Sequence, residues 1–296
     1  MPSRLCVNAY EQGRRAGAVD ARSHNRASDE VMPYLELSRD YRMFYKIDDF
    51  TDPWTRPETV LLVHGFPEST EAWRAWIPHL ARHFRCIRID RRGFGQSGPV
   101  PKDFNYTDQS FVDDLVRVIE GVAGGPLHII GAKSGGIDVV KLAVARPDLA
   151  KTITIISTPV EPTDMRGWLE HIDEHGMRSW ARATMPPRMG SRMPQEGIDW
   201  WVELMGSNAA SSAHAYARWV SKLDMRPDLP RIKCPVLVIS PDSSATRRNR
   251  EHSEAYRKLI PDSEFVVIRG DGYHPVATDP DVCAVAARDF ITRRSQ

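Results

Sequence analysis

The sequence predicts an α/β fold, a mostly parallel sheet covered by helices on both faces and interrupted once by a helical insert. Two observations carry this reading: short runs of β-branched and aliphatic residues recur along the chain, and helical stripes separate most of them. The runs are 59–63, 86–90, 127–130, 153–156, 236–239 and 265–268. They are close to continuously apolar, as expected of strands buried on both faces. After a Thr107-Asp108 start signal, Phe111, Val112, Leu115, Val116, Ile119 and Val122 share one helical face, and a similar stripe begins at Ile137 and stops near Pro147.

The alternation lapses between about residues 161 and 230, where the pattern is helical with breaks expected at Pro186-Pro187 and Pro227. This segment holds Trp168, Trp180, Trp200, Trp201 and Trp219, five of the eight tryptophans, and seven of the ten methionines. Such a concentration suits either the insert's own small core or an adaptable apolar lid over a ligand, and the two are compatible. The expected organisation is therefore an α/β core from 34–160 and 231–296, a helical cap at 161–230, and a polar N-terminal extension at 1–33. The extension reads as a mobile segment or as a helical arm used in subunit contact.

Forty basic side chains against thirty-nine acidic ones give a net charge of +1. That balance gives no reason to expect nucleic acid or an acidic membrane as partner, which leaves a small-molecule substrate as the default. Homo-oligomerisation through the cap or the extension stays open. The cysteines at 6, 86, 234 and 283 form no CxxC pair, which fits buried free thiols in a reducing compartment. The first thirty residues lack the apolar core of a signal peptide, and no later run approaches the ~20 residues of a membrane span, so a soluble, cytoplasmic protein is expected.

Four landmarks occur in order: His64-Gly65-Phe66-Pro67 after one strand, Asp90-Arg91-Arg92-Gly93-Phe94-Gly95-Gln96-Ser97-Gly98 after the next, Gly131-Ala132-Lys133-Ser134-Gly135-Gly136, and Gly272-Tyr273-His274-Pro275 near the end. On these the chain, over roughly 35–294, resembles the α/β-hydrolase superfamily. It looks most like the branch with a helical cap, which includes haloalkane dehalogenases, epoxide hydrolases, lactonases and carbon-carbon bond hydrolases. The resemblance implies an α/β-hydrolase fold, no cofactor and no metal.

It also implies roles for particular residues. The strained strand-to-helix turn of the family reads G-x-nucleophile-x-G, which Gly131 and Gly135 frame, so the nucleophile position falls on Lys133 where the family usually has Ser, Asp or Cys. The oxyanion hole would come from the backbone N–H groups of Phe66 and Ser134. His64, Trp168, Trp180 and Trp201 are candidates for substrate contact. The acid usually follows the strand at 236–239; here Ser244 takes that position and Asp242 stands two residues early. Glu161 and Asp164, after the 153–156 strand, are the other places from which an acid could come. Counting back from Pro280 puts Tyr273 at the family's histidine position and His274 one place on, so either could serve.

Lysine cannot simply replace serine, because its amine lies several bonds further from the backbone and would overreach a carbonyl held in the oxyanion hole. Apolar strand ends and a helix N-terminus both disfavour an ammonium group. A neutral amine could form a Schiff base with a ketone or aldehyde, with His274 or Tyr273 as acid or base. In a second version Lys133 stays charged and holds an enolate or carboxylate, while His274 with Asp242 activates water. Ser134, the one hydroxyl inside the turn, competes as nucleophile. The expected function is cleavage of a small ester, lactone or ketone. The alternative is a receptor-like relative that binds a ligand with a decayed triad, although burying a lysine is costly where Ala would fit.

Two other signals point elsewhere. His171-Ile172-Asp173-Glu174-His175 matches a zinc-protease pattern but lacks a clear third ligand, so a solvated helical face is expected. Arg91 and Arg92 are expected beside the sheet or in solvent, close enough to the catalytic edge to attract an anion.

Overall fold

A computed structural model of the chain describes residues 33–242 and 249–295. The strands are β1 (Tyr34–Ser38), β2 (Tyr41–Asp48), β3 (Thr59–Val63), β4 (Arg85–Ile89), β5 (Leu127–Ala132), β6 (Ala150–Ile156), β7 (Val236–Pro241) and β8 (Ser263–Ile268). The helices are α1 (Ile77–Leu80), α2 (Asp108–Val118), α3 (Ser134–Ala145), α4 (Arg166–Met189), α5 (Gln195–Gly206), α6 (Ala210–Val220), α7 (Arg250–Arg257), α8 (Pro275–Thr278) and α9 (Pro280–Arg294).

The strands form one eight-stranded sheet in the order β1-β2-β4-β3-β5-β6-β7-β8. All six expected strands are present and parallel to one another, while β1 and β2 add an antiparallel edge beside β4. These two strands escaped the sequence reading because their residues are only partly buried, and a half-exposed edge lacks the continuous apolar run of a central strand.

Alternation sorts the central strands onto two cores. Leu61 and Val63 of β3 and Leu127 and Ile129 of β5 join one, which continues into α2, α3 and the insert; Val60, Leu62, Ile130 and Ala132 join the other, under α1 and α9. Thr107 caps α2 with the reciprocal Thr107–Ser110 bonds of a capping box, at the start signal read from the sequence.

Parallel register levels the carboxyl ends of the strands, since Val63 lies opposite Ile89 and Gly131, and Ala132 opposite Ile156. From β3 the chain passes to β4 on one side and then to β5 on the other, so the crevice between the ends of β3 and β5 is a topological switch point. That crevice is where an open α/β sheet binds ligands, and the loops carrying His64 to Glu68 and Lys133 meet there.

In the insert, α4, α5 and α6 follow one another. The break expected at Pro186-Pro187 lies instead at Gly176, whose φ of 82° and ψ of 166° interrupt α4, while both prolines fall in its last turn before Met189. Glycine reaches that conformation without the steric cost a side chain imposes, so the bend falls there. Trp180 and Trp201 are buried in the same core as the sheet-facing residues, so the insert packs on the sheet as well as on itself.

Candidate active site

The turn after β5 is held in a strained conformation by close backbone approaches. Lys133 has φ 49° and ψ −118°, and among the described residues only Ser157 shares a positive φ without being glycine. Side chains avoid this region at a cost of order 1–3 kcal/mol, and such conformations cluster at functional sites. The flanking glycines make the turn feasible: a Cβ on Gly131 would stand 2.7 Å from the carbonyl oxygen of Gly135, and one on Gly135 would collide with the carbonyl oxygen of Val63. The Lys133 N–H donates to the Ile156 carbonyl at 2.8 Å, which ties the elbow to β6.

From this turn the lysine side chain runs across Gly65, where an added Cβ would lie 2.6 Å from Lys133 Cε, and its ammonium contacts Oε1 of Glu68. His274 Nε2 meets the same oxygen at 2.9 Å, and the Gly65 N–H donates to Oε2 at 3.0 Å. Glu68 and His274 have no solvent exposure and Lys133 is 2% exposed. Three titratable groups thus form one buried chain, Lys133–Glu68–His274.

Burial alone would raise the Glu68 carboxyl, but the Lys133 charge and the bonds from His274 and Lys133 hold it well below the usual carboxylate range. Burial, reinforced by the Lys133 charge and opposed by Glu68, pushes His274 down to about 4. At neutral pH Glu68 is therefore a carboxylate and His274 a neutral imidazole. With Nε2–H donating to Glu68, Nδ1 keeps its lone pair, and no described group donates to it. The ring lies 4.9 Å from that of Trp201, and the His274 N–H donates to the Arg188 carbonyl at 3.1 Å.

Glu68 was not among the residues read from the sequence, where the acid was sought after the strands at 153–156 and 236–239. Its signal was present, an acidic residue directly after His64-Gly65-Phe66-Pro67. Asp242, the expected partner of His274, is exposed at the end of β7 and faces Arg250 at 3.9 Å, so it does not hold the imidazole. Ser244 lies outside the described residues. Glu161 pairs with Arg226 and Asp164 with Arg166, both on the surface.

Of the two candidates for the histidine position, His274 joins the chain to Lys133, while the Tyr273 ring lies 5.6 Å from the Arg188 guanidinium. Ser134 Oγ accepts from Arg91 Nη1 at 3.0 Å, a partner that cannot act as its base. His64, expected to meet substrate, instead has both ring nitrogens committed to backbone: Nδ1–H donates to the Gly65 carbonyl at 2.7 Å, and Nε2 accepts from the Arg91 N–H at 2.9 Å. It fastens the loops after β3 and β4 together. Burial, then the charge of Arg91, pushes it down to about 3, so it is neutral as well.

Arg91 takes the first of the two places expected for it, buried beside the sheet, and clamps Asp138 with Nε at 2.7 Å and Nη2 at 3.0 Å. Arg92 grips Asp114 in the same two-pronged way.

A small cavity of about 20 Å³, room for roughly one water, opens beside the elbow between Phe66, Lys133, Ser134, Trp168, Arg188 and Tyr216. Phe66 stacks on Tyr216 at 4.6 Å and meets Trp180 edge-on at 5.9 Å. Of the three tryptophans read as substrate contacts, Trp168 lines the cavity, Trp180 backs Phe66, and Trp201 backs His274. Among the described residues no group of three His, Cys, Asp or Glu side chains could hold a metal, and His171 pairs with Ser179. Cys86, Cys234 and Cys283 are free and buried. No helix among them is long and apolar enough to cross a membrane.

Comparison with known proteins agrees with the fold. The family described as alpha/beta hydrolase fold matches residues 58–193. Among relatives, the chain is 24% identical over 238 residues to the Karrikin insensitive 2 receptor CA of Petunia hybrida, covering 76% of this chain and 88% of that protein. It is 26% identical over 204 residues to the (E)-2-((N-methylformamido)methylene)succinate hydrolase of Acinetobacter baylyi, covering 64% and 74%. Among solved structures, a thermophilic esterase from Thermogutta terrifontis superposes with a TM-score of 0.77 at 25% identity, over 86% of this chain and 95% of that one. The chain has the α/β-hydrolase fold, and its relatives lie in the α/β-hydrolase superfamily.

Proposed function

We propose that this chain is a hydrolase-type enzyme for a small carbonyl compound, an ester, lactone or cleavable ketone, in which Lys133 occupies the nucleophile's place but works as a fixed cation. The observation that carries this reading is the sharing of one Glu68 oxygen by Lys133 and His274. A carboxyl held well below its usual range does not take the lysine proton, so the ion pair favours the ammonium over the free amine an imine would need. Lys133 lines the cavity together with Phe66 and Ser134, whose backbone N–H groups are the family's oxyanion donors.

In this mechanism water adds its oxygen to the substrate carbonyl carbon and gives a proton to His274 Nδ1. The carbonyl π pair moves onto oxygen, facing Lys133 and the two amides. The Glu68 carboxylate offsets the charge of the imidazolium, and His274 returns the proton to the leaving oxygen or carbon as its bond breaks. Glu68 is a positioning residue, acting through Lys133 and His274.

The test is turnover of a panel of small esters, lactones and 1,3-diketones by the wild type, Lys133→Met and Lys133→Arg, with borohydride added in a parallel series. Loss of a preorganised donor to the oxyanion predicts a fall in kcat of about 10²- to 10³-fold for Lys133→Met, partial recovery in Lys133→Arg, and no reduced adduct on Lys133. A borohydride-fixed adduct at Lys133 would replace the cation with an imine, and undiminished turnover by Lys133→Met would remove it from catalysis.

A further inference from the structure

Among the described residues three arginines are buried, Arg88, Arg91 and Arg188. Arg88 is clamped by Asp48 through Nε at 2.7 Å and Nη2 at 2.9 Å, and Arg91 by Asp138 in the same two-pronged geometry. Arg188, 1% exposed at the end of α4, has no carboxylate partner among the described residues. Among the described residues its Nε reaches only Thr184 Oγ1, at a long 3.4 Å, and buried Nη2 has no hydrogen-bond partner. The guanidinium sits instead among aromatic rings, 5.4 Å from Trp168, 5.2 Å from Trp180 and 5.6 Å from Tyr273.

Cation–π contact offsets part of the cost of burying this charge but supplies no hydrogen-bond acceptor for the planar fork. Arg188 also lines the cavity with Lys133 and Ser134. Glu68 balances Lys133, so the guanidinium leaves the site with one positive charge that no described side chain neutralises. From these observations we infer that Arg188 is a substrate-binding residue of the cap, recognising the carboxylate of a small acid whose carbonyl group is presented to Lys133. A planar carboxylate with two acceptor oxygens matches a guanidinium fork, and an apolar ring of Trp168, Trp180 and Tyr273 around the fork strengthens the pairing by excluding water. This inference rests on the reaction proposed above, whose substrate class it narrows to anionic carbonyl compounds.

The experiment is calorimetric titration of the full chain with levulinate (4-oxopentanoate), 2-pentanone and inorganic phosphate, for the wild type, Lys133→Met, Arg188→Met and Arg188→Lys. Levulinate is expected to bind the wild type and Lys133→Met. Its affinity should fall about 10- to 100-fold in Arg188→Met, the loss of a charge-assisted pair. Arg188→Lys, which keeps the charge and lacks the fork, should fall between them and gives the answer if Arg188→Met does not fold. Binding of 2-pentanone should be alike in the wild type and the folded Arg188 variants. Levulinate affinity unchanged in either Arg188 variant would overturn the assignment, as would phosphate displacing levulinate at equal concentration. If carboxylate binding depends on Arg188 while no carbonyl compound is turned over, the anchor stands and the proposed reaction falls. If an ester that keeps a free carboxylate is turned over equally well by wild type and Arg188→Lys, with the same KM, the reaction stands and the anchor falls.

Discussion

Two buried ion pairs stand at the carboxyl edge of the same sheet, and they are built differently. Arg91 and Asp138 face each other through two parallel bonds, with Ser134 Oγ accepting a third from the same guanidinium. Lys133 and Glu68 meet through a single carboxylate oxygen that His274 shares, on a residue with strained backbone, beside a cavity. The first pair spends its donors on fixed partners and joins the β4 loop to α3, behind the elbow. The second keeps an ammonium at the cavity wall and an uncommitted imidazole nitrogen. Equal burial therefore does not mean an equal role: the closed pair supports the turn, and the shared one carries the chemistry in the proposed function.

The largest expected effect falls on the supporting pair. Arg91→Met leaves Asp138 charged or forces it to take a proton in a site where burial, opposed by Arg91, already raises it to about 7. Breaking one side of a buried pair costs about 3–5 kcal/mol. Adding Asp138→Leu to Arg91→Met should restore much of that loss, because two apolar groups leave no charge to solvate. Denaturant unfolding of the single and double variants checks this, and a double variant as unstable as the single one would mean that the pair's geometry, and not its charge, holds the elbow.

The acid limb of stability separates the two clusters next. The folded value of His274, about 4, lies below the ordinary histidine value of 6.5. Between these values the unfolded chain binds the proton that the folded chain refuses. The neutral histidine's contribution is therefore whole above pH 6.5 and is lost as pH falls toward 4, an effect of about 3 kcal/mol by linkage. His64, pushed down to about 3, acts in the same direction and over a longer range. Replacing His274 by Asn should remove about one proton from the slope of unfolding free energy between pH 6.5 and 4 and leave the His64 share. An unchanged slope would mean that His274 is protonated in the folded chain, and with it that the cluster carries one more charge.

The two halves of the site were legible in the sequence to different degrees. The elbow was readable because its constraints are local: Gly131, Gly135 and the neighbouring strand run fix the turn, and only the side chain at Lys133 is unusual. Six strands could be read for the same reason, since burial on both faces writes itself as a continuous apolar run. Glu68 and Arg188 depend on contacts across long separations, with His274 lying 206 residues from Glu68. No local pattern encodes such a meeting. The two prolines before Arg188 also drew attention to a break when the residue after them carried the charge. His64 misled for a related reason, because a histidine next to a functional loop looks the same in sequence whether its nitrogens meet substrate or backbone.

The smallest expected effect is also the sharpest test of where the acid lies. Asp242 is exposed and, among the described residues, faces Arg250 at 3.9 Å, a geometry in which an ion pair contributes about 0–1 kcal/mol. Asp242→Asn should therefore shift stability by under about 0.5 kcal/mol and leave kcat and KM within about twofold, as for a surface substitution away from any buried network. Glu68→Gln makes the opposite case with the same chemical change. It removes the counter-charge of a buried ammonium and, when the amide oxygen takes the place of Oε1 between Lys133 and His274, sets an NH₂ group that cannot accept against the Gly65 N–H. The expected result is a loss of turnover of about 10²-fold or more with a changed acid limb in the pH profile. Steady-state kinetics of both variants from pH 5 to 9 measure the contrast. If Asp242→Asn were the damaging change and Glu68→Gln the silent one, the imidazole would be held by the carboxylate after β7 during catalysis, and the Lys133–Glu68 pair would be only a support like Arg91–Asp138.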